Sequence, residues 1–398
     1  MHTETPHAHA SNGATLLLSC ALVFLTQLGV TLYLPSLPDI AGALRLAPNQ
    51  ASLSLLAYFL GSAAPILFWG AATDRYGRKT VLLLSLALFG LASVAAAGAT
   101  GGPAFIGARL LQGVGAGGAS TVGRILVRDN ANGALLARNL SYLSFSFVSA
   151  LGGGQFLGGL MQQYAPWQAQ FLLLAAISAI LAVAVLLMPM RGAAPAAPQS
   201  HVAAYLAVLR HPGFRRPMVA GALGYGALIY LQEIGPYLFQ QQLGLSARQY
   251  GNAGLLLGLA YFCGSLLVNR LALRLGYARL MRAGLLLMLA AGALLLAGAT
   301  LGEGRLDGGA LLALVLCVYC AVSLGQAVLF PNSMAAALDA VKGQGSHSTA
   351  LFGFALQLIA TGVGSLAVVI PHGRLGPVAL LLLALTATAL LLSPRRRP

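Results

Sequence analysis

Charge is scarce in this chain. Only 8% of its 398 residues are Asp, Glu, Lys or Arg, and 58% are hydrophobic, where a soluble domain carries about 25% charged residues. That balance excludes a water-soluble fold and points to an all-α polytopic membrane protein. Acidic residues are scarcer still, eight against 23 Lys and Arg, for a formal net charge of +15. The excess does not indicate nucleic acid as a partner, because the basic residues fall between apolar runs and do not gather with aromatics on one solvated face. The four cysteines are too few for a disulfide framework. Cys317 and Cys320 form a C-x-x-C inside an apolar helical run that offers no further ligands. His2, His7 and His9 lie in a polar leader read as a disordered tail. No metal, cofactor or catalytic residue is expected, since a membrane-embedded enzyme would need ligands or paired carboxylates clustered on one helix.

What is present is apolar sequence in twelve segments, each near the ~20 residues that span a bilayer. They start at about Ala14, Ala51, Thr80, Phe105, Leu140, Gln170, Met218, Gln249, Met281, Gly309, Thr349 and Gly376. The first has no Lys or Arg before it and reads as a retained helix, not a cleaved signal peptide. The longest break holds Pro195, Pro198 and a short amphipathic piece around Tyr205 to Leu209. The expected division is a disordered leader (1–13), a six-helix bundle (14–190), a cytoplasmic linker (191–217), a second six-helix bundle (218–393) and a basic tail (394–398). With both termini in the cytoplasm, 18 Lys and Arg fall on the inner side, four on the outer side, and Arg109 within a span. That asymmetry sets the orientation.

The run Gly70-Ala-Ala-Thr-Asp74-Arg75-Tyr-Gly77-Arg78-Lys79 closes one segment and opens the next. Gly70 and Asp74 share a helix face, where the glycine would admit a neighbouring helix and the carboxylate would sit at the membrane border. Gly77 permits a sharp turn, and Arg75, Arg78 and Lys79 suit anionic headgroups. On charge alone, an ordinary positive-inside loop reads equally well. The pattern, however, resembles the G-x-x-x-D-R-x-G-R-K signature between helices 2 and 3 of major facilitator superfamily transporters. A worn copy, Asn269 to Arg279, follows the eighth segment, as repeated halves that rock about a midplane site would require.

The fourth segment reads Arg109-Leu-Leu-Gln112-Gly113-Val-Gly115. An arginine beside a span either snorkels to headgroups or finds a carboxylate, cavity or carbonyl partner. The run is similar to the superfamily's R-x-x-Q-G-x-G signature, whose arginine is linked to proton coupling. Its continuation, Gly123-Arg124-Ile-Leu-Val-Arg128-Asp129, resembles the bicyclomycin and chloramphenicol resistance branch of the twelve-helix drug:proton antiporters. The resemblance implies a monomeric carrier in the bacterial inner membrane that exchanges a small-molecule substrate for protons by alternating access. A metabolite porter for nucleosides or sugars on the same scaffold is the rival reading. It also implies that Asp74, Arg78 and Asp129 form a cytoplasmic relay holding the outward-open state.

Two residues depart from that branch. Gln155 replaces the proline of G-P-x-x-G-G, and Thr31 stands where an aspartate precedes Y-L-P. Threonine cannot carry a proton, so a replacement acid is sought among the eight. Glu4, Glu303 and Asp307 lie in the leader or an outer loop, and Asp74, Asp129 and Asp339 near inner ends. Asp39 lies just beyond helix 1 and is grouped with Arg109 as a coupling candidate. Glu233 is the remaining acid within a segment, as proton site and as a partner for cationic or polar substrates, unless the helix ends early and leaves it hydrated at the outer end. Substrate contacts are expected from Gln27, Thr31, Tyr33, Gln112, Tyr225, Tyr230, Gln232, Tyr319 and Gln326, on the helices that supply the central cavity of the family. Such a set suits a largely apolar pocket with a few orienting hydrogen bonds.

Overall fold

The computed structural model describes residues 6–130, 133–190, 201–301, 307–341, 345–370 and 374–393. All regular structure among them is helical. α1 (Pro6–Thr31) leads through a tight turn, Leu34–Ser36, into the short α2 (Leu37–Ala43). Then come α3 (Pro48–Ala63), α4 (Ile66–Tyr76), α5 (Arg78–Ala97), α6 (Gly102–Asp129), α7 (Gly133–Tyr164) and α8 (Gln168–Leu187). The second half contains α9 (His201–Arg210), α10 (Pro212–Pro236), α11 (Ala247–Leu301), α12 (Gly308–Asp339), α13 (Gly345–Gly364), α14 (Leu366–Val369) and α15 (Leu375–Leu392). Nine helical stretches among the described residues are long and apolar enough to cross a membrane, so the chain is a multi-pass membrane protein. The second, fourth and seventh expected segments correspond to α3 with α4, α6, and α10. There a break at Pro65, embedded arginines and internal prolines dilute the apolar run.

Several boundaries move. α1 starts at Pro6, so the expected disordered leader is helical from that residue. Proline suits a first helical turn, and a nucleated helix extends backwards cheaply. Residues 1–5, 191–200 and the tail 394–398 lie outside the described residues. The amphipathic piece is α9, whose Val208 packs with Phe214, Met218 and Phe352. α10 begins at Pro212, so the expected linker end at 217 falls inside a helix that contains Pro217. The worn motif copy repeats more than composition: Gly77 has φ 83° and ψ 152°, and Gly276 has φ 72° and ψ 161°. This is a left-handed turn that favours glycine, at equivalent places in the two halves.

α6 is the axis of the first half. A Cβ on Gly115 would lie 2.6 Å from the Phe89 nitrogen on α5, and one on Gly117 would lie 2.6 Å from the Ser62 carbonyl on α3. The glycine run therefore lets three backbones touch. The two halves meet the same way where α7 crosses α11. A Cβ on Gly152 would fall 2.9 Å from the Gly258 Cα, and one on Gly159 would fall 3.0 Å from the Gly251 Cα. Gly258→Val should separate these helices and destabilise the protein by about 1–3 kcal/mol, the usual effect of overpacking. Thermal unfolding in detergent reads this, and an unchanged melting temperature would contradict it.

Candidate functional site

Arg109 does not reach the headgroups. It is wholly buried on α6, with its guanidinium 4.3 Å from the centre of the Tyr33 ring and 4.5 Å from that of Tyr58. Its Nη1 donates to Gln112 Oε1, and Gln112 Nε2 donates to Ser93 Oγ on α5 at 2.7 Å. The rings are fixed in turn: the Tyr33 and Ser54 hydroxyls lie 3.1 Å apart, and Tyr58 donates to the Thr26 carbonyl at 2.6 Å. Arg109 Nε and Nη2 have no hydrogen-bond partner. A third ring, Phe171, stands 5.9 Å away; cation–π contacts give about 0.5–2 kcal/mol each at best, against the several kcal/mol that burying an ion removes. The arginine is therefore held in place but left electrostatically unsatisfied.

Glu233 on α10 mirrors it from the other half. It is 1% exposed, and neither carboxylate oxygen has a partner. It is not hydrated at a helix end. Room for it comes from Gly364 on α13, where a Cβ would sit 2.9 Å from Glu233 Oε1. Tyr230, one turn earlier, also has an unpartnered hydroxyl. Tyr33 lies within electrostatic reach of both Arg109 and Glu233, so its phenol feels charge from both halves. A buried carboxyl without donors is a group whose charge depends on what approaches it.

The other candidates divide. Thr31 faces α7, where its hydroxyl donates to the Ala150 carbonyl at 2.7 Å in a helix contact. Gln112 is occupied by Arg109 and Ser93. Tyr319 donates to the Leu231 carbonyl at 2.9 Å, bracing α10 at the turn that carries Glu233. Gln27 and Gln232 are buried, and Tyr225 is half-buried. Gln326 is buried with both amide atoms unpartnered. Gln155, in place of the expected proline, leaves α7 continuous and packs on Gly254 of α11.

Asp39 is not brought to this centre. It is exposed and accepts from Gln162 at 2.5 Å, in a cleft of about 440 Å³ shared with Gln163, Ser246 and Arg248. Two hydrogen bonds tie the halves together there, Arg248 to Gln163 and Gln240 to the Pro35 carbonyl, both at 2.9 Å. At the other end of the helices, Arg78 pairs with Asp129 at 2.5 Å. Lys79 donates to the Leu186 and Met188 carbonyls at 2.8 and 3.1 Å, capping α8. Arg75 lies over the ring of Tyr76. The side chain of Asp74 lies outside the described residues. Among the described residues, a Cβ on Gly70 would meet nothing within 4 Å, so no close helix contact is made at that glycine. Sequence reasoning missed Tyr58, Ser93, Gly364 and the Lys79 cap, none of which carries a motif of its own. The Arg78–Asp129 pair is partly exposed, so Asp129→Asn should change stability by less than about 1 kcal/mol, read as a near-unchanged melting temperature.

A family model described as Major Facilitator Superfamily matches residues 19–365. A multidrug resistance protein MdtL of Shewanella oneidensis is 30% identical over 269 residues, 64% of this chain and 66% of that protein. Its namesake in Escherichia coli O81 is 32% identical over 244 residues, 59% of this chain and 60% of that one. The chain thus spans a little under two thirds of the length of these relatives. A bacterial homologue of the human lysosomal transporter Spinster, solved in an inward-facing and unoccupied conformation, aligns with a TM-score of 0.68 at 14% identity over 98% of this chain and 96% of that one. That last likeness is one of fold alone. With the family model covering all but the ends of the sequence, the chain belongs to the major facilitator superfamily.

Proposed function

We propose that the protein is a secondary transporter of the bacterial inner membrane that expels drug-like small molecules in exchange for protons. It works as a monomer with twelve spans and both termini in the cytoplasm. The observation that carries the reading is an arginine and a glutamate in opposite halves of a two-bundle fold, each buried and, among the described residues, without a charged partner. Alternating access changes what each half presents to the other, and so changes the charge that Glu233 tolerates. Substrate and proton then compete for the same carboxyl. The Arg248–Gln163 and Gln240–Pro35 contacts break when that end opens, while Asp74, Arg78 and Asp129 hold the opposite end. Drug-like substrates are suggested by the names of the relatives.

Proteoliposomes loaded with a panel of drugs and nucleosides, given an imposed pH gradient and followed for both solute and proton, test this. Drug movement against proton flow is the expected result. Movement of nucleosides alone would favour a metabolite porter, and insensitivity to the gradient would remove coupling.

A further inference from the structure

Asp39, in the first turn of α2, and Arg248, in the first turn of α11, line one cleft of about 440 Å³ from opposite halves of the molecule. Opposite charges on one cleft would ordinarily pair. These two form no ion pair among the described residues; each is taken by a neutral amide of α7 instead, Asp39 by Gln162 at 2.5 Å and Arg248 by Gln163 at 2.9 Å. Asp39 is exposed, yet its anchor runs inwards. Gln162 Oε1 accepts from the Ser36 hydroxyl at 2.6 Å, and the Gln170 amide donates to Ser36 Oγ at 2.6 Å and to the Gly158 carbonyl at 3.0 Å. Ser36 and Gln170 are wholly buried, and Gln170 Oε1 has no partner. Burying such a chain is costly, and a carboxylate in water does not need it. Its effect is to fix the Gln162 amide with the N–H side towards Asp39, and so to fix the carboxylate. Arg248 is placed against local preference, because a cation in a first turn faces the positive end of the helix dipole. Helix stability therefore does not account for it.

We propose that Asp39 and Arg248 form a two-point site for a small zwitterion, an amino carboxylate, with its ammonium at Asp39 and its carboxylate at Arg248. A lone cation entering the cleft would meet Arg248 and a lone anion would meet Asp39, so the pair of charges selects against both. The guanidinium fork of Arg248 matches a carboxylate. Among the described residues only Asp39 Oδ2 receives a donor, which leaves the other oxygen for an ammonium. The two glutamines keep the charges from cancelling each other, and the buried relay through Ser36 holds one of them ready. Because α2 and α11 belong to different halves, a bound zwitterion bridges them at the end already joined by Gln240 and the Pro35 carbonyl. Occupancy therefore favours closure of that end. The site is separate from Arg109 and Glu233, and its test needs no transport.

Binding of β-alanine, γ-aminobutyrate and ε-aminocaproate, a ladder of charge separations, is compared with that of butyrate and butylammonium by ligand-observed NMR titration on the full chain in an uncharged maltoside detergent. One length should bind best, about tenfold tighter than either singly charged analogue, and added salt should weaken it. Asp39→Asn should lower that zwitterion to the level of butyrate, and Arg248→Gln should lower it to the level of butylammonium. Two exposed positions tolerate these changes with little effect on folding. Affinities that are equal across the ladder and its singly charged analogues would overturn the proposal. So would a zwitterion preference that survives either substitution.

Discussion

Glu233→Gln is expected to leave the protein folded and to reduce proton-driven transport to background. The two side chains have nearly the same shape, so the pocket opposite Gly364 still fits. What the change removes is the capacity to gain and lose charge within the membrane, and among the described residues no other acid is buried with its carboxyl unpartnered. Stability should hold or rise, because a neutral amide no longer has to be shielded as an ion. Substrate binding without a gradient should persist, with its pH dependence flattened. Efflux from proteoliposomes across a series of pH gradients, alongside equilibrium binding at the same pH values, separates these effects. An unchanged pH profile for Glu233→Gln would move the coupling site elsewhere. A lost profile with retained downhill transport would fix it at this carboxyl.

Much of the fold was legible because apolar length and glycine spacing are local properties. The expected starts at Thr80, Gln170, Gly309 and Gly376 fall within two residues of α5, α8, α12 and α15. The expected seventh start, Met218, lies six residues late, since Arg215, Arg216 and Pro217 resemble a loop, yet α10 runs through them from Pro212. The candidate site was legible only in part. Elimination among eight acids leads to Glu233 because acids are so few. It cannot tell that Thr31 turns to the Ala150 carbonyl, or that the Arg109 guanidinium lies over Tyr33 and Tyr58. Those facts depend on the rotation and tilt of each helix, which tertiary packing sets and a period of 3.6 residues leaves free. Gly70 makes the same point from the other side. Its spacing from Asp74 suggests a close contact, and among the described residues no atom comes within 4 Å of where its Cβ would stand.

Arg109→Met should separate stability from coupling in the sharpest way. Methionine keeps a flexible stem of similar reach between the Tyr33 and Tyr58 rings and makes favourable sulfur–aromatic contacts of about 0.3–1.5 kcal/mol. It also removes a buried cation with two unpartnered nitrogens. Replacing buried charge with a well-packed apolar group is commonly neutral or stabilising by about 1–4 kcal/mol. The loss of the Gln112 contact offsets part of this, since the Gln112 oxygen then lacks its donor, at about 1–3 kcal/mol. The melting temperature should therefore hold or rise while transport against a gradient disappears, because the cation that alternating access would bring to bear on Glu233 is gone. Arg109→Lys retains the charge but cannot spread over both rings and reach Gln112 together, so it should lose most coupling as well. A large drop in melting temperature for Arg109→Met, with transport preserved, would make the arginine a structural strut. A site that acts by holding charge in an unsatisfied state must lose function when that charge is relieved.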